Sequence, residues 1–163
     1  MIEISVIIDC SGSMSVLAKN DIIQSVCRNL LLHEGFEFKF YSWSDSVEEI
    51  PYGDEGLSLA AGGKSSLSKL AGFIQNKNQK NILLLTDGFI DEDAGQLRDL
   101  IGGTEGLNFR LLGIGADFNE VMAECLLPKN LTAAEKGGFL FNPLDLEAVL
   151  ESFSSANSDG NNL

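Results

Sequence analysis

The stretch ISVIIDCSGS, Ile4 to Ser13, decides the reading of this chain. Its first half is almost continuously apolar, the composition of a central strand buried on both faces. Its second half sets Asp9, Ser11 and Ser13 at alternate positions directly after that strand. In an extended loop, residues two apart face the same way, so one carboxylate and two hydroxyls can point at a common place. Gly12 lets the backbone turn there without a side-chain clash. Open α/β sheets bind ligands at the carboxyl edge of their strands, which is where this loop would lie.

On the C-terminal side of this stretch, Ile22, Ile23, Val26, Cys27, Leu30 and Leu31 repeat at helical spacing and stop before Gly35. Phe36, Phe38 and Phe40 alternate with Glu37, Lys39 and Tyr41, a second strand. Ser44 and Asp45 turn the chain into a short run at 47–50, close enough to make a hairpin with an antiparallel edge strand. Leu67, Leu70, Ala71 and Ile74 mark a second helix, Ile82 to Leu85 a strand, and Ala94, Leu97 and Ile101 a third helix ending near Gly102 and Gly103. Phe109 to Ile114 follows as a strand, Val121 to Leu126 as a short helical piece, and Phe139 to Phe141 as the last strand. Asn142 can cap a final helix, Pro143 suits its first turn, and Leu146, Val149, Leu150 and Phe153 form its inward face. Strands alternating with helices predict an α/β domain, a mostly parallel sheet of about six strands with helices on both faces and one antiparallel edge. The domain is expected to occupy 1–154, and 155–163, with no apolar face, to form a disordered tail.

A chain of 163 residues, 44% of them apolar, fills one core. Its 24 acidic against 11 basic residues give a net charge of −13, which repels phosphate backbones and anionic lipid, so neither nucleic acid nor a membrane surface is an expected partner. There is no run of eighteen uncharged apolar residues, and the first strand begins at Ile2 with no room for a signal peptide. The expectation is a cytoplasmic protein, monomeric alone. Cys10, Cys27 and Cys125 lack paired spacing and read as free thiols, mostly small core fillers.

A second carboxylate, Asp87, follows the buried run Leu83 to Leu85 in the sequence Thr86-Asp87-Gly88. If that strand lies parallel and next to the first, Asp87 reaches the same edge as Asp9. Two carboxylates there would raise each other's pKa unless a cation sat between them. Hard carboxylate and hydroxyl oxygens, with no His or Cys among them, favour Mg²⁺ or Mn²⁺ over Zn²⁺ or Cu²⁺.

Asp9-Cys-Ser-Gly-Ser13, then Gly62-Gly63-Lys64-Ser65 at the start of a helix, then Thr86-Asp87-Gly88 after a strand resemble, in order and spacing, the three segments of the metal-ion-dependent adhesion site of von Willebrand factor A domains. The resemblance covers residues 2 to about 154. It implies a three-layer, Rossmann-like doubly wound fold and a divalent metal. Ser11 and Ser13 would coordinate directly, and Asp9 and Asp87 directly or through water. The family's threonine is matched by Ser65, which offers the same hydroxyl oxygen, with Ser66 next door as the alternative. It further implies a protein partner whose Glu or Asp completes the metal's shell. Short intracellular members of this kind resemble bacterial proteins that work beside AAA+ ATPases or in signalling and stress cassettes.

Plainer readings compete at each position. Asp9, Ser11 and Ser13 alone would be a capped loop; together with Ser65 and Asp87 they favour a metal site. Asp45, Asp91 and Asp117 are read as turns and caps, with a supporting role at the metal as the minority view. His33 reads as a helix-terminal residue, Tyr41 and Trp43 as packing beside the second strand. Gly63-Lys64-Ser65 imitates the end of a phosphate-binding loop, but that motif's first glycine would fall at Ser58, and no buried strand precedes it. A haloacid-dehalogenase phosphatase would need a second aspartate where Ser11 stands. With no histidine near the site and no nucleophile paired with a base, a metal-dependent protein-binding module that is not an enzyme is the favoured function. The alternatives are a metal-assisted phosphoesterase or nucleotide hydrolase, and a structural subunit with a vestigial metal site.

Overall fold

Among the described residues six strands lie in the order β3-β2-β1-β4-β5-β6, the arrangement of a sheet wound outward in both directions from its centre. A computed structural model describes residues 1–16, 18–90 and 94–159. The strands are β1 (Ile2–Asp9), β2 (Phe36–Trp43), β3 (Val47–Ile50), β4 (Asn81–Thr86), β5 (Asn108–Gly113) and β6 (Leu140–Phe141). The helices are α1 (Lys19–Leu30), α2 (Leu67–Asn76), α3 (Gly95–Gly103), α4 (Glu120–Glu124), α5 (Ala133–Lys136) and α6 (Leu146–Asp159). Every strand pairing is parallel except β2 with β3, whose two-strand hairpin supplies the antiparallel edge expected from the short link at Ser44 and Asp45.

The apolar runs explain the layering. In β1, Ile4, Val6 and Ile8 pack on one face with Ile23, Val26, Cys27 and Leu30 of α1 and with Val149, Leu150 and Phe153 of α6. Ile7 faces the opposite side with Leu70, Ala71 and Ile74 of α2 and Leu97 and Ile101 of α3. β4 divides in the same way, Leu83 and Leu85 to the first core and Ile82 and Leu84 to the second. A strand covered on both faces has no solvent side to alternate toward, which is why these runs read as unbroken apolar sequence.

One boundary differs from expectation. The final helix runs to Asp159, where the sequence placed a tail from 155. Asn157 accounts for part of the extension: its amide donates to Asn81 Oδ1 on β4 at 3.0 Å and to the Phe153 carbonyl at 2.7 Å, tying a polar turn to the sheet. Residues 160–163 lie outside the described residues, as does Asp91. Among the described residues no helix is long and apolar enough to cross a membrane.

All three cysteines are free thiols, and their surroundings differ. Burial pushes the Cys10 thiol up to about 11 and that of Cys27 up to about 12, while Cys125 is exposed at the end of α4. A buried thiol kept in its neutral form is a poor nucleophile. One thiol per chain is therefore expected to react promptly with a disulfide reagent in the native protein, and three after unfolding in denaturant. Two fast-reacting thiols in the native state would contradict this packing.

Candidate metal centre

The polar cluster is built at the carboxyl ends of β1 and β4, which pair in parallel with Ile8 beside Leu85. Asp9 ends β1 and Asp87 follows β4, and both are fully buried. The adjacency on which the sequence reading depended is present. Asp9 is held from several directions. Its Oδ1 accepts hydrogen bonds from the Ser11 amide at 2.9 Å and the Ser65 hydroxyl at 3.1 Å, and its Oδ2 accepts from the Thr86 hydroxyl at 2.7 Å. Burial raises the Asp9 carboxyl above its ordinary value, opposed by the bonds from Ser11 and Thr86 and reinforced by the charge of Asp87. Ser11 Oγ lies 3.2 Å from Ser13 Oγ, so the two hydroxyls do come together, but through a 3-10 turn at Gly12–Ser15 where an extended loop was expected.

Ser65 is delivered across 56 positions of sequence by loop-to-loop backbone bonds. Gly62 N–H donates to the Cys10 carbonyl at 2.8 Å, and Gly12 N–H to the Gly63 carbonyl at 3.2 Å. Gly63 has φ +74°, a left-handed conformation that strains any L side chain, so the turn that presents Ser65 favours glycine. Ser66 is engaged elsewhere. Its hydroxyl caps α2 by accepting from the Lys69 amide, and its carbonyl accepts from Trp43 Nε1 at 2.8 Å. Of the two neighbouring serines, Ser65 is the one that joins Asp9.

Three side chains enter the cluster that the sequence reading gave no leading part. Thr86 bridges Asp9 and the Gly88 amide, which donates to its hydroxyl at 3.1 Å. Lys19, at the start of α1, is buried, and its ammonium donates to Asp87 Oδ2 at 2.9 Å, Asp117 Oδ2 at 3.0 Å and the Ser13 carbonyl at 3.0 Å. Burial works to lower the Lys19 pKa, but the bonds and charges of Asp87 and Asp117 outweigh it and raise the value, so the side chain stays charged. Asp117, read from sequence as a turn residue, is therefore a partner of Asp87 through a shared cation. Asp87 completes its own set by accepting from the Phe89 amide at 3.1 Å through Oδ1.

The sequence did contain a signal for Lys19. It lies four residues before Ile23 on the stripe that continues through Val26, Cys27 and Leu30, and all five are buried. A lysine on the apolar face of an amphipathic helix must find a buried anion or leave the core.

Above the cluster is a cleft of about 220 Å³ lined by Ser11, Gly12, Ser13, Gly63, Lys64, Ser65 and Phe89. Among the described residues no three His, Cys, Asp or Glu side chains gather to hold an ion, so a cation here would depend on hydroxyl oxygens. That donor set fits a hard divalent ion: the Ser65 hydroxyl and the Ser11 amide meet on the buried Asp9 carboxylate, and the Ser11 and Ser13 hydroxyls lie side by side next to it in sequence.

No protein-family model matches this sequence, and no curated protein does. Solved structures do match. An aerotolerance-related membrane protein from Bacteroides fragilis aligns over 95% of this chain and all of its own, at TM-score 0.70 and 13% identity. The ArnB paralogue VWA2 from Sulfolobus acidocaldarius aligns over 89% of this chain and 42% of its own, at TM-score 0.61 and 22% identity. Proximal thread matrix protein 1 from the mussel byssus, with a zinc-occupied MIDAS motif, aligns over 95% of this chain and 46% of its own, at TM-score 0.62 and 13% identity. Together with the strand order and the single antiparallel edge, these likenesses establish that the chain has the fold of von Willebrand factor type A domains.

Proposed function

We propose that this domain is a metal-dependent protein-binding module. The observation that carries the reading is the gathering at the carboxyl edge of the sheet of the Ser65 hydroxyl on Asp9 and of the paired Ser11 and Ser13 hydroxyls, which with Ser65 line an open cleft. Ser11, Ser13, Ser65 and Asp9 would hold a divalent cation, with Asp87 supporting it. When bound, the cation supplies a Lewis-acidic point that an acidic oxygen of a partner can complete. Asp9, Asp87 and Asp117 against Lys19 leave two negative charges when all are ionised, so a dication brings the centre to neutrality. With the centre neutral, a bound cation would still favour the approach of a partner carboxylate to the cleft.

The residues of this chain set the terms of recognition. Phe89 is partly exposed at the cleft and Lys64 also lines it, so a partner Glu or Asp would approach past an apolar ring and a cation. The mussel protein's motif holds zinc, whereas the all-oxygen donors here favour Mg²⁺ or Mn²⁺.

Calorimetric titration with Mg²⁺, Mn²⁺ and Zn²⁺ tests the metal, and affinity capture in Mg²⁺, in chelator and with Asp87→Ala tests the partner. One ion per chain is expected, with Mn²⁺ at about a hundredfold excess over Kd stabilising the fold by about 2.7 kcal/mol. Partner retention should be lost in chelator and in the variant. A domain that takes up no ion, or a partner held equally under all three conditions, contradicts the reading; phosphoester turnover lost in Asp9→Ala would replace it with the hydrolase alternative.

A further inference from the structure

Lys19 is a lysine with a wholly buried side chain, placed between two carboxylates one of which, Asp87, is itself wholly buried. Its three donors are all used, on Asp87, Asp117 and the Ser13 carbonyl. Two of those three contacts are to residues of the candidate metal centre. Its stem packs close enough to Gly115 that a Cβ there would meet Lys19 Cε at 2.9 Å, and its ammonium stands 5.6 Å from the centre of the Phe89 ring. The ammonium is thus fixed, dry and shared between the two strand ends that follow β4 and β5.

We propose that Lys19 is a built-in counter-cation of the metal centre, which holds Asp87 in place without a metal and weakens the hold of the centre on a divalent ion. The inference rests on the metal-binding reading above. An ammonium fixed beside Asp87 competes electrostatically with any dication drawn to the same carboxylates, because like charges close together in a poorly screened site repel strongly. The same ammonium relieves the repulsion between Asp9 and Asp87 when no metal is present, so the strand ends stay folded in both states. Lys19 is accordingly a positioning residue whose consequence is a loosely held, exchangeable metal. A site of this kind would capture its ion firmly only when a partner carboxylate adds its own negative charge.

The test is Mn²⁺ titration of the parent chain, Lys19→Met and Asp117→Asn, with thermal unfolding of each in Mn²⁺ and in chelator. Methionine approximates the length of the stem and removes the charge. Lys19→Met is expected to bind Mn²⁺ at least tenfold more tightly than the parent, to melt lower in chelator, and to gain more from the metal. Asp117→Asn removes a negative charge from the same group and is expected to weaken Mn²⁺ about threefold, the opposite sign. If Lys19→Met folds only with metal, its affinity is read by withdrawing Mn²⁺ from the loaded protein with a competing chelator. Binding by Lys19→Met that equals or falls below the parent's overturns the inference while leaving the metal reading intact. A silent parent with a binding Lys19→Met overturns the metal reading of the native domain and, with it, the inference of an exchangeable metal, since the ammonium then excludes the ion outright. Silence in both overturns the inference and the metal reading together.

Discussion

Asp9→Ala is expected to abolish Mn²⁺ uptake and to lower unfolding stability in chelator by about 3 kcal/mol, whereas Asp9→Asn abolishes uptake and leaves stability within about 1 kcal/mol of the parent. The contrast follows from what the carboxylate does. It accepts from the Ser11 amide and from the Ser65 and Thr86 hydroxyls, all inside the protein. Alanine deletes the acceptor and leaves three donors facing a void. Asparagine retains an oxygen for Ser11 and Ser65, and the Thr86 hydroxyl can turn to accept from its amide. Asparagine also removes a charge whose burial is unfavourable, as the raised Asp9 carboxyl indicates. Urea unfolding in chelator, paired with calorimetry, separates the two roles. If Asp9→Asn still binds Mn²⁺ as the parent does, the carboxylate is not a metal-directed group.

Much of this was legible in the sequence because parallel strands buried on both faces write their burial directly as apolar runs. Ile4 to Ile8 and Ile82 to Leu85 are such runs, and the structure pairs them side by side. The Asp-x-Ser-x-Ser motif was legible as a grouping of oxygens but not as a conformation: Ser11 and Ser13 do meet, through a tight 3-10 turn at Gly12–Ser15 and not through the period of an extended loop. Whether Ser65 or Ser66 joined Asp9 could not be read, since both carry the same hydroxyl and the choice depends on which one caps α2.

Lys19 and Asp117 escaped for a different reason. Their partnership spans 98 positions and obeys no periodicity; the place of Lys19 on the apolar stripe of α1 signals a buried anion but does not say which, and Asp117 alone reads as an ordinary turn residue. Two carboxylates at one edge do call for a cation, but nothing in that requirement says that the cation must come from solution. The chain supplies one itself, and only tertiary packing reveals it.

The second large effect concerns the backbone beneath Asp87. Gly88→Ala is expected to cost on the order of 3 kcal/mol in chelator and to weaken Mn²⁺ binding at least tenfold. Gly88 has φ +81°, where an L side chain is strained, and a Cβ there would lie 2.4 Å from the Asn119 carbonyl oxygen. That neighbour is main chain and is not free to swing away. The Asn119 amide donates to the Asp87 carbonyl at 2.8 Å, and its side chain caps α4 by accepting from the Met122 amide at 3.1 Å. Relief of the contact must therefore move either the residue after β4 or the start of α4. Moving the first displaces Asp87 from Lys19 and from the Phe89 amide. Moving the second shifts the loop that carries Asp117. Denaturant unfolding in chelator reads the strain independently of any metal, and a loss below about 1 kcal/mol would mean that the close approach of Gly88 to Asn119 does not constrain this edge of the sheet.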